Sequence, residues 1–366
     1  MNATQRLQAV LTQQQGSLGD VNVVGFSAPK RALLKRYLRL LGVGSPQLVA
    51  SPQAQYPAIA WGATPADNCL ARVEDGFIRS VGLGADLVKP LSWVFDTRGI
   101  YFDASQPSDL EWLLQNKDFS TAELARAAQL RGSLVAAGIT KYNVGSAVWQ
   151  RPANAKRVVL VAGQVETDAS IRLGSHTVLT NAQLLQASKA QCPGDYIVYK
   201  PHPDVVAGLR AGSVPPKQAL QCCDEVVTHA DMAELLGRVD AVHVITSLAG
   251  FEALMRGLDV TCYGTPFYAG WGLCHAPHVL PAAQARRTRR LSIDQLVCGA
   301  LVDYPSYLHS GNLHPEQDEL ITVEEAVAFL QNHRAAALRA GAGTVSSIGK
   351  LKRVALAWLA KAQRRF

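Results

Sequence analysis

A short apolar run, Ala241 to Ile245, delivers two hydroxyls, Thr246 and Ser247, onto a helical pattern that runs to about Arg256. A helix start offers free backbone N–H groups and the positive end of its dipole, so this is a ready seat for a phosphate. Ser and Thr are also common plain caps, so these residues alone leave both readings open. Three further clusters could do chemistry. Val158 to Ala162 is followed by Gly163-Gln-Val-Glu166-Thr-Asp168-Ala-Ser170, which puts carboxylates at a strand end or makes Asp168 the cap of a helix. Tyr196 to Tyr199 is followed by Lys200-Pro201-His202-Pro203-Asp204, where two prolines hold the chain extended around one imidazole and Lys200 can join it on an anion. Val73-Glu74-Asp75-Gly76-Phe77-Ile78-Arg79 sets adjacent carboxylates before a glycine; it reads as a loop with one side chain facing inward, or as a solvated acidic turn.

The elements needed to position these clusters follow from periodicity. Strands are expected at Val21 to Phe26, Ala58 to Trp61, Trp93 to Phe95 and Ile100 to Phe102, and helices at Arg31 to Leu41, Ser108 to Gln115 and Thr121 to Ala137. Arg151 to Ala155 suits a linker. A new alternation then begins: strand Val158 to Ala162, helix Asn181 to Lys189, strand Tyr196 to Tyr199, helix Met232 to Leu236, strand Ala241 to Ile245, helix Leu248 to Arg256 and strand Val260 to Tyr263. Such alternation implies parallel doubly wound sheets, whose ligands sit beyond the carboxyl ends of the strands. Three of the four clusters fall at such ends. A phosphate held by hydroxyls, helix amides and His, with carboxylates nearby, suits nucleotide-sugar chemistry. No Gly-x-Gly-x-x-Gly or Walker pattern supports a dinucleotide or ATP.

At 366 residues, 48% hydrophobic and 18% charged, the sequence describes a globular protein of roughly two domains. No run approaches the roughly 18 apolar residues of a membrane span, and the first residues lack the apolar core of a signal peptide, so a cytoplasmic location is expected. Seven scattered cysteines suggest reduced thiols rather than a disulfide frame, and no metal-like spacing is present. The net charge of +7 is concentrated at the end. After Glu325 no acidic residue remains, while Arg334, Arg339, Lys350, Lys352, Arg353, Lys361, Arg364 and Arg365 are all basic. A near-neutral body argues against nucleic acid as a partner.

Taken together, the clusters resemble the retaining β-Kdo glycosyltransferases of bacterial capsule assembly, the KpsC type. The matching blocks are Glu74-Asp-Gly-Phe-Ile-Arg-Ser-Val-Gly-Leu-Gly84, Gly99-Ile-Tyr-Phe-Asp103, Gly163-Gln-Val-Glu-Thr-Asp-Ala-Ser170, Tyr199-Lys-Pro-His-Pro-Asp204, Thr246-Ser-Leu-Ala-Gly-Phe-Glu252 and Tyr263-Gly-Thr-Pro-Phe-Tyr-Ala-Gly-Trp-Gly272. The resemblance implies an α/β GT-B fold with two Rossmann-like domains facing a cleft. Residues 1–150 would be the acceptor side, 156–320 the CMP-sugar-binding domain and 321–366 the C-terminal helices. It implies CMP-Kdo as donor and a lipid-linked glycan as acceptor. Enzymes of this type commonly carry two transferase modules, but each block occurs once here, so a single module is expected; with no metal-ligand cluster in the sequence, no metal or other cofactor is expected. Kinship with bacterial sialyltransferases assigns Glu74-Asp75-Gly76 to their acidic motif, His202-Pro203 to their His-Pro motif and Thr246-Ser247 to their Ser/Thr motif. Double displacement would use Asp168 as nucleophile and Glu74 as acid/base partner or auxiliary carboxylate, or the two roles exchanged. Gln164, Lys200, His202, Thr246 and Ser247 would hold the donor, with Asp75, Arg79, Lys141 and Glu252 as further candidate contacts. On the phosphate question, the company of the other blocks favours the seat over the cap.

Two other classes stay open on the same residues: a nucleotide-sugar epimerase or hydrolase, and a non-catalytic subunit of a capsule assembly complex. At the end of the chain, Thr322-Val-Glu-Glu325 has capping-box spacing for a helix to about Arg339. From Ser346 a second helix would align Ile348, Leu351, Ala355, Trp358, Leu359 and Ala362 on one face. Residues 346–366 would then lie on an anionic inner-membrane surface, or pack their stripe on the body of the protein.

Overall fold

The computed structural model describes residues 7–10, 20–42, 46–80, 90–141, 148–309 and 318–339, with side chains to residue 333. Two sheets organise them. The first contains β1 (Val21–Val24), β2 (Leu48–Val49), β3 (Ala58–Trp61), β4 (Cys69–Asp75), β5 (Ser92–Asp96), β11 (Pro305–His309) and β12 (Glu319–Ile321). The second contains β6 (Val158–Ala162), β7 (Tyr196–Lys200), β8 (Glu225–Val226), β9 (Ala241–Val244) and β10 (Asp259–Cys262).

The second sheet, in order β10-β9-β6-β7-β8, is parallel throughout, as alternation requires. Its central strands are buried on both faces, hence the unbroken apolar run Val158 to Ala162. The first sheet, in order β12-β11-β5-β4-β3-β1-β2, is parallel only from β2 to β4. Strands β5, β11 and β12 each run antiparallel to the neighbour before them. The expected span 156–320 is therefore corrected: after the second sheet the chain crosses back, and β11 pairs with β5 of the first.

Two local expectations also change. Ile100 to Phe102 is a turn, because Asp96 at the end of β5 accepts N–H bonds from Arg98, Gly99 and Asp109 and folds the chain over itself. Glu74 and Asp75 end a strand rather than occupying a loop. The expected helices stand as α1 (Ala28–Leu40), α2 (Asp109–Asn116) and α3 (Thr121–Ala136) in the first half. The second half carries α4 (Ala169–Gly174), α5 (Asn181–Gln191), α6 (Pro203–Val206), α7 (Pro216–Ala219), α8 (Met232–Leu236) and α9 (Leu248–Leu254). The Thr322–Glu325 capping box forms and opens a helix over Val323–Arg339. The second tail helix, residues 346–366, lies outside the described residues. One continuous apolar core joins the lobes, from Phe77, Val94 and Leu110 to Leu160, Val242 and Phe251. Among the described residues, no helix is long and apolar enough to cross a membrane.

Candidate active site

In the second sheet the chain moves outward from β6 through β7 to β8, then returns to place β9 on the other side of β6. Between β6 and β9 the strand order reverses, which opens a crevice at the carboxyl ends. Gln164 and Thr246 meet there. The Thr246 N–H donates to Gln164 Oε1 at 2.8 Å, Gln164 Nε2 donates to Thr246 Oγ1 at 3.1 Å, and Thr246 Oγ1 donates to Ser170 Oγ at 3.1 Å. Ser247 caps α9, accepting from the Ala249 N–H, and its carbonyl receives the Tyr268 hydroxyl. The cap reading thus holds for Ser247, while Thr246 ties two strand ends together. Gly163 is needed beside them: a Cβ there would stand 2.9 Å from the Tyr199 hydroxyl and 3.2 Å from Pro201 Cα.

Strand β7 ends in Lys200, which is largely buried and whose pKa is lowered by that burial against the opposing pull of Asp231. His202 follows as the cap of α6, with Nδ1 accepting the Asp204 N–H at 3.2 Å. A ring nitrogen that accepts carries no proton, so the neutral imidazole keeps its hydrogen on Nε2 as a donor. Burial lowers the His202 pKa and favours that neutral form. Asp168 is exposed and caps α4, accepting the Ser170 N–H at 2.9 Å. Its charge tends to raise the His202 pKa, against the larger lowering by burial.

The first lobe brings its own carboxylates to the carboxyl end of β4. Glu74 lies over Gly62 at the end of β3, where a Cβ would come within 3.0 Å of Glu74 Oε2. Burial first, then the neighbouring Asp75 charge, push the Glu74 pKa up to about 7, with Lys141 and Lys30 opposing. Two adjacent acids thus differ in role. Asp75 is paired with the buried Arg79 at 2.6 Å, whereas Glu74 can hold or release a proton near neutrality. Gly76 is fixed by space, since a side chain there would collide with Ser92.

Between the lobes stands Tyr101, which β-propensity alone would place in a strand. Burial pushes the Tyr101 hydroxyl well above its ordinary pKa, with the Lys141 charge opposing and the Glu74, Asp168 and Asp75 charges adding to the rise. Its ring packs edge-on against Phe77 at 4.8 Å and Phe267 at 6.0 Å between centroids, while Phe77 and Phe267 stack at 4.5 Å. The signal was available in the aromatic pair Tyr101-Phe102, which β-propensity claimed first. Of the other candidate contacts, the Lys141 charge lowers the pKa of both Glu74 and His202. Arg79 is turned to Asp75 and Ser80. Glu252 is enclosed in the joint, its Oε1 accepting the Lys141 N–H at 2.8 Å beside a small cavity walled by Phe77, Ile78 and Phe251. Among the described residues no group of three or more His, Cys, Asp or Glu is placed to hold a metal ion.

Two α/β lobes with polar strand ends converging on the space between them make this a GT-B fold. The chain belongs to the capsule polysaccharide biosynthesis protein family, which matches residues 56–150 and 128–307. It is 44% identical over 328 residues to the capsule polysaccharide modification protein LipA of Neisseria meningitidis serogroup B, covering 85% of this chain and 45% of that protein. It is also 44% identical over 242 residues to the lipopolysaccharide-processing protein LpsZ of Rhizobium meliloti, covering 65% of this chain and 54% of that protein. The chain therefore spans about half the length of the curated relatives it matches. Two solved structures match nearly end to end. The β-Kdo 2,7 transferase of Thermosulfurimonas dismutans KpsC is 34% identical with a TM-score of 0.69, covering 86% of this chain and 99% of that one. Its β-Kdo 2,4 transferase is 28% identical with a TM-score of 0.71, covering 85% and 98%.

Proposed function

We propose that the chain is a retaining β-Kdo glycosyltransferase, moving Kdo from CMP-Kdo to a Kdo-bearing, lipid-linked glycan at the inner face of the cytoplasmic membrane. The observation that carries the reading is the crevice at the strand-order reversal of the second sheet, where Gln164 and Thr246 join the ends of β6 and β9 beside Ser170. The solved β-Kdo transferases of the same fold support it.

In this reading the CMP phosphate lies at the crevice between β6 and β9. Lys200, the His202 Nε2–H and the start of α9 receive its charge, and Gln164 and Thr246 hold the wall. Asp168 attacks the anomeric carbon: its oxygen forms a bond to that carbon as the bond to the phosphate oxygen breaks and CMP leaves with the electron pair. An acceptor hydroxyl then attacks the same carbon, its proton passes to Glu74, and the Asp168 carboxylate is released. Two inversions give net retention. A glutamate titrating near 7 is matched to taking that proton. Donors already aimed at the leaving phosphate stabilise its charge without reorganisation.

The test is CMP-Kdo incubated with the protein, with and without a Kdo-terminated lipid, followed by mass mapping of the protein and NMR of the product. Expected are a Kdo adduct on Asp168, a β-linked product, and a loss of about a thousandfold or more in Asp168→Ala with the fold intact. An adduct on Glu74 would exchange the two roles. CMP-Kdo consumed at full rate without acceptor would replace the transferase by a hydrolase.

A further inference from the structure

One cation at the cleft is left unused by that mechanism. Lys30 sits in the first turn of α1, at the carboxyl end of β1. Its Nζ lies 3.2 Å from the centroid of the Trp61 ring at the end of β3, and Glu74 is the penultimate residue of the next strand, β4. Three adjacent strands thus deliver an ammonium, an aromatic platform and the proton acceptor to one edge. The Trp61 face orients the ammonium and takes up part of its charge. Among the described residues, no carboxylate lies within ion-pair distance of Lys30 Nζ. Arg79, by contrast, is neutralised by Asp75. The first turn of α1 itself carries no acidic residue. Burial works against the ammonium, while Glu74 and Asp75 sustain it.

Resting on the transferase reading, we propose that Lys30, held by Trp61, receives the carboxylate of the acceptor's terminal sugar acid and so selects acidic acceptors. An acceptor carboxylate arriving beside Glu74 would repel it and raise its proton affinity further, spoiling it as a base. A cation between the two removes that conflict and fixes the attacking hydroxyl. The same chemistry could serve the carboxylate of the donor sugar, and the two sources separate kinetically.

The experiment compares wild type with Lys30→Met, using a Kdo-terminated acceptor and its methyl ester, with donor and acceptor varied in turn. Expected for Lys30→Met is an acceptor KM raised about tenfold to a hundredfold for the acid and less than about twofold for the ester. The donor KM should stay unchanged. The acidic limb of kcat/KM for the ester should move to higher pH, because the positive charge holding Glu74 down is gone. Trp61→Leu should give a smaller rise, again confined to the acid. Equal losses with acid and ester, or a rise confined to the donor KM, would overturn the assignment. Failure of the wild type to use either acceptor would instead overturn the transferase reading on which it rests.

Discussion

Glu74 shows what one position can be asked to do. Its carboxyl is held near a pKa of about 7 by burial and by Asp75. If it takes the acceptor proton, the rate must climb as pH rises through about 7 and level off above it. Glu74→Gln should abolish that limb and lower kcat by about 10² to 10⁴; an unchanged profile in the variant would assign the limb to another group. The sequence made the acid pair visible but misjudged its setting. Glu, Asp and Gly are depleted in strands, so Glu74-Asp75-Gly76 looked like a turn. The fold overrides that preference because Arg72 donates to the Gly62 and Thr64 carbonyls, because Asp75 pairs with Arg79, and because Gly76 lets β5 approach. Asp168 posed the opposite case. Its local reading as a cap holds, with the Ser170 N–H donating to its carboxylate, and the second role proposed for it has no local sign.

The elements that join the lobes rely on buried charge as well as on apolar packing. Glu111 of α2 receives Arg286 and, at 2.8 Å, Arg287, two residues from the second half of the chain. Arg287 is almost fully buried and also donates to the Pro266 and Ala269 carbonyls. Removing one member of such a cluster strands the others, so Glu111→Ala should cost about 3–5 kcal/mol, read as a fall in Tm. Glu252 is the second device. Its pKa is pushed up to about 7 by burial in the joint, so between about 4.5 and 7 the folded state binds a proton that the unfolded chain lacks. Stability must therefore fall as pH rises across that window. Glu252→Gln keeps an acceptor for the Lys141 N–H but does not titrate. Its Tm relative to wild type should rise by several degrees from about pH 5 to about pH 8; a constant difference would show that Glu252 stays ionised. None of this was legible in the sequence, since Glu111 and Arg287 stand 176 residues apart and periodicity reports only on neighbours.

For the whole molecule, the alternation of strands and helices was enough to give two α/β lobes. It could not give the return of the chain to the first sheet, because Pro305–His309 and Glu319–Ile321 carry no local sign of their distant partners. The acid-free end of the chain belongs to this scale too. If residues 346–366 hold the protein to anionic lipid, deleting them should weaken binding to phosphatidylserine vesicles about tenfold or more, since each basic residue near such a surface contributes roughly 1 kcal/mol. Transfer to a soluble acceptor should be spared; undiminished vesicle binding would make the segment a structural one. The crossing-back has a consequence in time. Strand β5 can be made and folded early, but its partner β11 is more than 200 residues later on the ribosome. Until then the growing chain carries an open sheet edge able to pair with a neighbour, while β6 to β10 can close into a finished sheet. The half of the protein that is synthesised first is therefore completed last, and its assembly is the step at which synthesis is most exposed to aggregation.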